Sequence, residues 1–128
     1  MTYQESLDKQ STAKERRIRF SVRIKPLSIN AAFQGRRFNT PAKKQYERAL
    51  ALLLATFREV EGPYYRVRYD FYLKNFAMTD WDNLVKPFQD CLVKSGIISD
   101  DRRIIEATVR KFRAEKDSII AEIEGVEL

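Results

Sequence analysis

The sequence has no histidine, and its only cysteine is Cys91. Zinc sites usually draw on Cys or His ligands, so no structural or catalytic zinc site is expected, and one cysteine cannot form an intrachain disulfide. The same gap excludes Ser/His and Cys/His nucleophile pairs and removes the commonest general base. Activation of a water would then fall to a metal ion or a carboxylate. There is also no run of 18 apolar residues to cross a membrane, and Met1 to Lys14 lacks the apolar core of a signal peptide. The chain reads as cytoplasmic. No internal repeat, linker or low-complexity tract interrupts it.

What is present is charge. Of 128 residues, 33% are charged and 44% hydrophobic, which suits one soluble domain with a substantial core. The net charge of +6 persists although acids cluster in the centre, so the rest of the surface is more basic than the total suggests. A polyanion is the expected partner.

The pattern along the chain predicts an α+β domain in the order β-α-β-α-β-β, one mixed sheet with two helices packed on it. Residues 1–15 are polar and without a clear period, and read as a mobile extension to a folded domain over 16–128. Ile18, Phe20, Val22 and Ile24 alternate with Arg19, Ser21 and Arg23 as a half-buried strand does, up to Lys25-Pro26. A loop with Asn30, Gln34, Gly35, Arg36 and Arg37 leads to Thr40-Pro41, an N-cap followed by proline at the first helical position. The stripe Tyr46, Leu50, Leu53, Leu54 and Phe57 is that helix's apolar side. From about Tyr64 to Asn75 a second strand puts Tyr65, Val67, Tyr69, Phe71 and Leu73 on one face and Arg66, Arg68 and Lys74 on the other. The next helix is expected from about Asn83, so that Pro87 falls in its first turn, with Leu84, Val85, Phe88, Cys91 and Leu92 inward and Gly96 as the stop. Strands around Ile105, Ala107, Val109 and around Ile119, Ala121, Ile123 follow, joined by a hairpin over residues 114–117.

Five carboxylates and a lysine surround the second helix: Asp80, Asp82, Lys86, Asp90, Asp100 and Asp101. Asp80 and Asp82 stand two apart, so an extended approach would turn both to one face, where they can share a cation. Lys86 lies one helical turn beyond Asp82 and projects from the same edge. Carboxylates to hold a hard cation, Mg²⁺ or Mn²⁺, beside a positive charge for a phosphate, are what metal-assisted phosphodiester cleavage requires. Each residue also has a plain structural reading. Asp80 and Asp82 could cap the helix, Lys86 could pair with Asp82 or Asp90, and Asp100-Asp101 could form an ordinary turn. Trp81 reads as a core anchor and Cys91 as a small buried hydrophobe. The Tyr/Arg alternation of residues 64–72 fits a half-buried strand better than a base-stacking surface.

Asp80-x-Asp82-Asn83-Leu84-x-Lys86-x-x-x-Asp90, followed by Gly96 and Asp100-Asp101, resembles the RusA family of Holliday-junction resolvases. The weaker run from Pro26 through Asn30 and Arg36-Arg37 to Thr40-Pro41 is similar to the family's N-terminal half, so the resemblance spans roughly residues 17–124. It implies a homodimeric, Mg²⁺-dependent endodeoxyribonuclease of DNA recombination and repair that cuts four-way junctions by paired nicks, leaving 5′-phosphate and 3′-hydroxyl ends. It also implies that Asp80, Asp82 and Asp101 hold the metal and that Lys86 is catalytic. Asp90 and Asp100 become supporting acids around that site. The chain departs from the family where an arginine run is expected before the first aspartate, for here the residues are Asn75-Phe76-Ala77-Met78-Thr79. DNA contact would then pass to Asn30, Arg36, Arg37, Lys43 and Lys44. The alternative is a non-catalytic dimeric DNA-binding or phage regulatory module, whose DNA binding would be indifferent to Mg²⁺.

Overall fold

Alternating burial along the strands builds the molecule. The computed structural model describes residues 15–34 and 38–128. Strand β1 (Arg17–Val22) turns Phe20 and Val22 inward, and β4 (Tyr64–Leu73) buries Tyr65, Val67, Tyr69, Phe71 and Leu73, as the period of two requires. Strands β5 (Ile104–Arg113) and β6 (Ser118–Val126) complete a four-stranded mixed sheet in the order β1-β6-β4-β5. β6 runs antiparallel to both β1 and β4, whereas β5 runs parallel to β4.

Among the described residues there are three helices, against an expectation of two. The additional one, α1 (Ile29–Ala32), and a two-stranded ribbon of β2 (Phe33–Gln34) and β3 (Phe38–Asn39) occupy the segment expected to be loop. Helix α2 (Pro41–Leu53) starts as its residues direct: Thr40 is extended, and its Oγ1 accepts from Lys43 N at 3.2 Å. Tyr46 and Leu50 are buried on α2 and Leu54 just after it, but Leu53 is exposed. Helix α3 (Asp82–Lys94) starts one residue earlier than expected, so Pro87 is its sixth residue and lies beyond the first turn. The ring is buried there, and only the Asn83 carbonyl loses an intrahelical donor. Phe88 of α3 meets Tyr69 and Phe71 edge-on, at centroid distances of 5.2 and 6.1 Å, which seats the helix on the sheet.

The expected hairpin between the last two strands is not formed. β4 lies between β5 and β6, and the segment Ala114–Asp117 passes over the end of β4, with Ala114 N donating to Leu73 O and Lys74 N to Asp117 Oδ1. The physical reason is the crossover: α3 returns the chain to the start of β4, so β5 can only pair in parallel. The strand expected around Ile105, Ala107 and Val109 is present as β5, which is consequently an edge strand with Ile105 and Ala107 exposed. On the face away from the helices, Arg66 pairs with Glu106 at 2.5 Å and with Glu124, and Arg110 makes a two-pronged contact with the buried carboxylate of Asp70. These ion pairs account for the Tyr/Arg alternation of β4 without a nucleic acid. Residues 1–14 of the expected extension lie outside the described residues. No helix among the described residues is long and apolar enough to cross a membrane.

Candidate active site

The chain leaves β4 through a 3₁₀ turn (Phe76–Met78) that is braced from the sheet edge. Lys111 Nζ donates to the carbonyls of Phe76 and Thr79 at 2.8 and 2.9 Å, and the Phe76 ring packs against the cations of Lys111 and Arg113. Thr79, in place of a basic residue, closes the turn: its Oγ1 donates to Asn75 O at 2.8 Å. No local pattern points to Lys111 in this role, because the contact spans more than thirty residues.

Asp80 follows that turn and Asp82 opens α3. Trp81, between them, has helical backbone angles (φ −63°, ψ −35°), so the approach is not extended and simple strand alternation does not align the two carboxylates. Neither aspartate is the N-cap, which is Trp81 without a side-chain cap, although Asp82 in the first turn complements the helix dipole. Both carboxylates are exposed and have no hydrogen-bond or ion-pair partner among the described residues. Trp81 is not the core anchor its residue type suggested. It is 49% exposed, because the turn into the helix directs it away from the sheet.

Lys86, one turn further along α3, contacts Asp90 Oδ1 at 2.9 Å and Asp101 Oδ2 at 3.2 Å. The hydrogen bonds it donates to Asp90 first and to Asp101 second hold its ammonium above the ordinary lysine range. Asp101 arrives because the chain doubles back on α3. Gly96 has φ +77°, a conformation glycine adopts without strain, and Ile97 and Ile98 then pack fully buried with both N–H groups on Leu92 O. Arg103 staples the returning segment: it donates to Pro63 O at 2.6 Å, to Gly62 O and to Ser99 Oγ, with its guanidinium over the Tyr65 ring. Asp101 also lies near Tyr69, whose hydroxyl donates to Gln89 and is pushed above the usual phenol range by burial and, secondarily, by that carboxylate. Asp100 turns elsewhere. It caps the 3₁₀ turn Asp101–Arg103 and grips the Arg102 guanidinium, which lowers its carboxyl to about 2.

The donor set of Asp80, Asp82 and Asp101 is carboxylate only, the chemistry a hard divalent cation takes. Among the described residues, however, no three acidic, Cys or His side chains converge closely enough to hold a metal ion. Lys86 links the two halves instead, about 6 Å along the helix from Asp82 and in contact with Asp101.

Of the expected DNA-contacting residues, Asn30 is exposed on α1 and Lys44 on α2. Lys43 is largely covered and paired with Glu47 at 2.9 Å. Arg36 and Arg37 lie outside the described residues. Two further cations, Arg48 and Lys94, join Lys44, Glu47 and Cys91 around a cleft of about 450 Å³ between α2 and α3. The spacing of Lys44 and Arg48, one helical turn apart, was the available clue. Cys91 is buried as expected, and burial raises its thiol to about 11.

A family profile described as endodeoxyribonuclease RusA matches residues 28–124, which takes in the whole site. No curated protein matches the chain.

Proposed function

The chain belongs to the RusA family of endodeoxyribonucleases, which act on branched DNA, and from that membership we propose a Mg²⁺-dependent resolvase of four-way junctions. In this reading the domain over residues 16–128 acts as a homodimer in DNA recombination and repair, in the cytoplasm, and nicks opposing strands in pairs. The observation that supports it best is the contact of Lys86 with Asp101, which unites two distant parts of one acidic motif within one chain.

Asp80, Asp82 and Asp101 would hold Mg²⁺, or Mn²⁺, which supplies Lewis acidity to neutralise charge at the reacting phosphate. The exposed, unpartnered state of Asp80 and Asp82 suits that task, since neither has a structural bond to give up. Lys86 stays protonated between Asp90 and Asp101, and its ammonium donates to a phosphoryl oxygen as negative charge builds there. Asp90 orients that ammonium from one turn along the helix, and Asp100 shapes the turn that presents Asp101. Lys44, with Asn30, Arg36, Arg37 and Lys43, would track the phosphate backbone.

The test is a panel of labelled substrates: a four-way junction, a linear duplex of the same sequence and a flap, each with Mg²⁺ or EDTA. Symmetric nicks in the junction with Mg²⁺ alone are expected. Junction binding that ignores Mg²⁺, with no nicking, would instead identify a non-catalytic DNA-binding module.

A further inference from the structure

Trp81 is the only tryptophan of the chain and the only aromatic among the strongly exposed large apolar side chains of the described residues. It sits between Asp80 and Asp82 at the mouth of α3. Met78, three residues before it, is 81% exposed. The backbone that carries the two is not a loose tip, because Lys111 holds the carbonyls of Phe76 and Thr79 and Thr79 closes back on Asn75. The fold therefore fixes an uncovered indole on a braced segment beside the carboxylates.

We propose that Trp81, with Met78 beside it, stacks on a nucleobase exposed at the branch point next to the scissile phosphate. This deepens the proposed function and rests on it. A flat, uncharged face suits this position, because Asp80 and Asp82 repel phosphate and leave an apolar surface as the favourable contact beside them. A continuous duplex covers both faces of each base with its neighbours, whereas a branch interrupts stacking and frees a face for an aromatic side chain. Trp81 would in this way favour branched over linear DNA without reading sequence.

A single tryptophan makes the test direct, since all indole emission reports this side chain. The protein is titrated in EDTA with a four-way junction or a linear duplex, while anisotropy of labelled DNA follows binding and emission follows Trp81. The expected result is strong quenching by the junction and little by bound duplex. In Mg²⁺ at subsaturating junction, Trp81→Ala should lower cleavage roughly tenfold, and Trp81→Phe, which keeps a stacking face, should stay within about threefold of wild type. Saturated junction binding with unchanged emission would overturn the inference while leaving junction cleavage by the wild type, and so the proposed function, intact. Emission already shielded from acrylamide before DNA is added would place a second copy of the chain over Trp81 and also overturn it. Failure both to bind and to cleave the junction would remove the inference together with the reading beneath it.

Discussion

Lys86 Nζ and Asp101 Oδ2 stand 3.2 Å apart although fifteen residues separate them in sequence. The contact exists because the chain reverses at Gly96 and runs back along α3, so one ion pair reports whether the returning segment is in place. The ammonium is raised above its ordinary value of 10.5, by Asp90 first and by Asp101 second. Asp90→Asn should therefore lower the Lys86 pKa more than Asp101→Asn does, as read by NMR titration of the lysine ε-methylene. Because the folded value is the raised one, the pair's stabilisation is present below pH 10.5 and is lost as pH rises through the folded pKa. A Lys86 titration unmoved by either substitution would mean that the contact does not persist in solution.

Gly96 carries the reversal. At φ +77° a side chain is strained, yet a Cβ there would meet nothing within 4 Å, so the cost of Gly96→Ala is one of backbone alone. A loss of about 1–2 kcal/mol is expected, with a fall of several degrees in Tm. Junction cleavage should fall by more than the lost folded fraction explains, because the turn also sets the reach of Asp101. Equal loss of activity and stability would separate Gly96 from the site.

Much of this was legible in the residues. The alternation of β1, β4 and β6, the Thr40-Pro41 helix start and the Gly96 stop depend on local geometry, and the structure has them. Strand pairing was not legible, because the short Ala114–Asp117 connection looks like a hairpin whether or not β4 is inserted between the strands it joins. The exposure of Ile105 was not legible either, since Ile105 is the residue skipped where the register of β5 against β4 shifts. At the site, residue spacing alone does not show that Asp101 returns to Lys86, because the return depends on the packing of Ile97 and Ile98. Nothing local indicated that Lys111, on the neighbouring strand, would hold the turn after β4, or that Arg103 would tie the returning segment to the residues before β4. Trp81 departs from the core position its residue type suggests, for tryptophan is usually covered and here it is exposed at the helix entry.

Asp100 offers a test of pH dependence. Its carboxyl is lowered from 3.8 to about 2, first by the side-chain hydrogen bond with Arg102. A depressed folded pKa adds stability above the unfolded value and loses it as pH falls through the folded one. Asp100→Asn should thus lower Tm at pH 7, and the gap from wild type should narrow between pH 4 and pH 2. A gap independent of pH would show that the charge of Asp100 is not what the turn uses.

DNA affinity should fall steeply with salt as bound cations displace counterions. Lys44→Ala should reduce the slope of log affinity against log salt by about 1. Lys43→Ala should reduce it by less, because Glu47 competes with phosphate for that ammonium. An unchanged slope at both positions would place the DNA path away from α2.

Asp82→Asn should remove junction cleavage by at least about 100-fold and leave binding unchanged or tighter, since a negative charge beside the phosphate is lost with the metal affinity. Near wild-type nicking by this variant would contradict the assignment of the carboxylates.

Whether Asp80, Asp82, Lys86 and Asp101 of one chain form one site is decided by subunit mixing. An Asp82→Asn subunit is mixed with an Asp101→Asn subunit, and in parallel wild type is mixed with the Asp82→Asn, Asp101→Asn double variant to show that subunits exchange. The account predicts single nicks from the wild-type mixture and no cleavage from the mixture of single variants. Cleavage regained at one site per dimer in the latter would mean that Asp101 serves the partner subunit, contrary to its contact with Lys86 of its own chain.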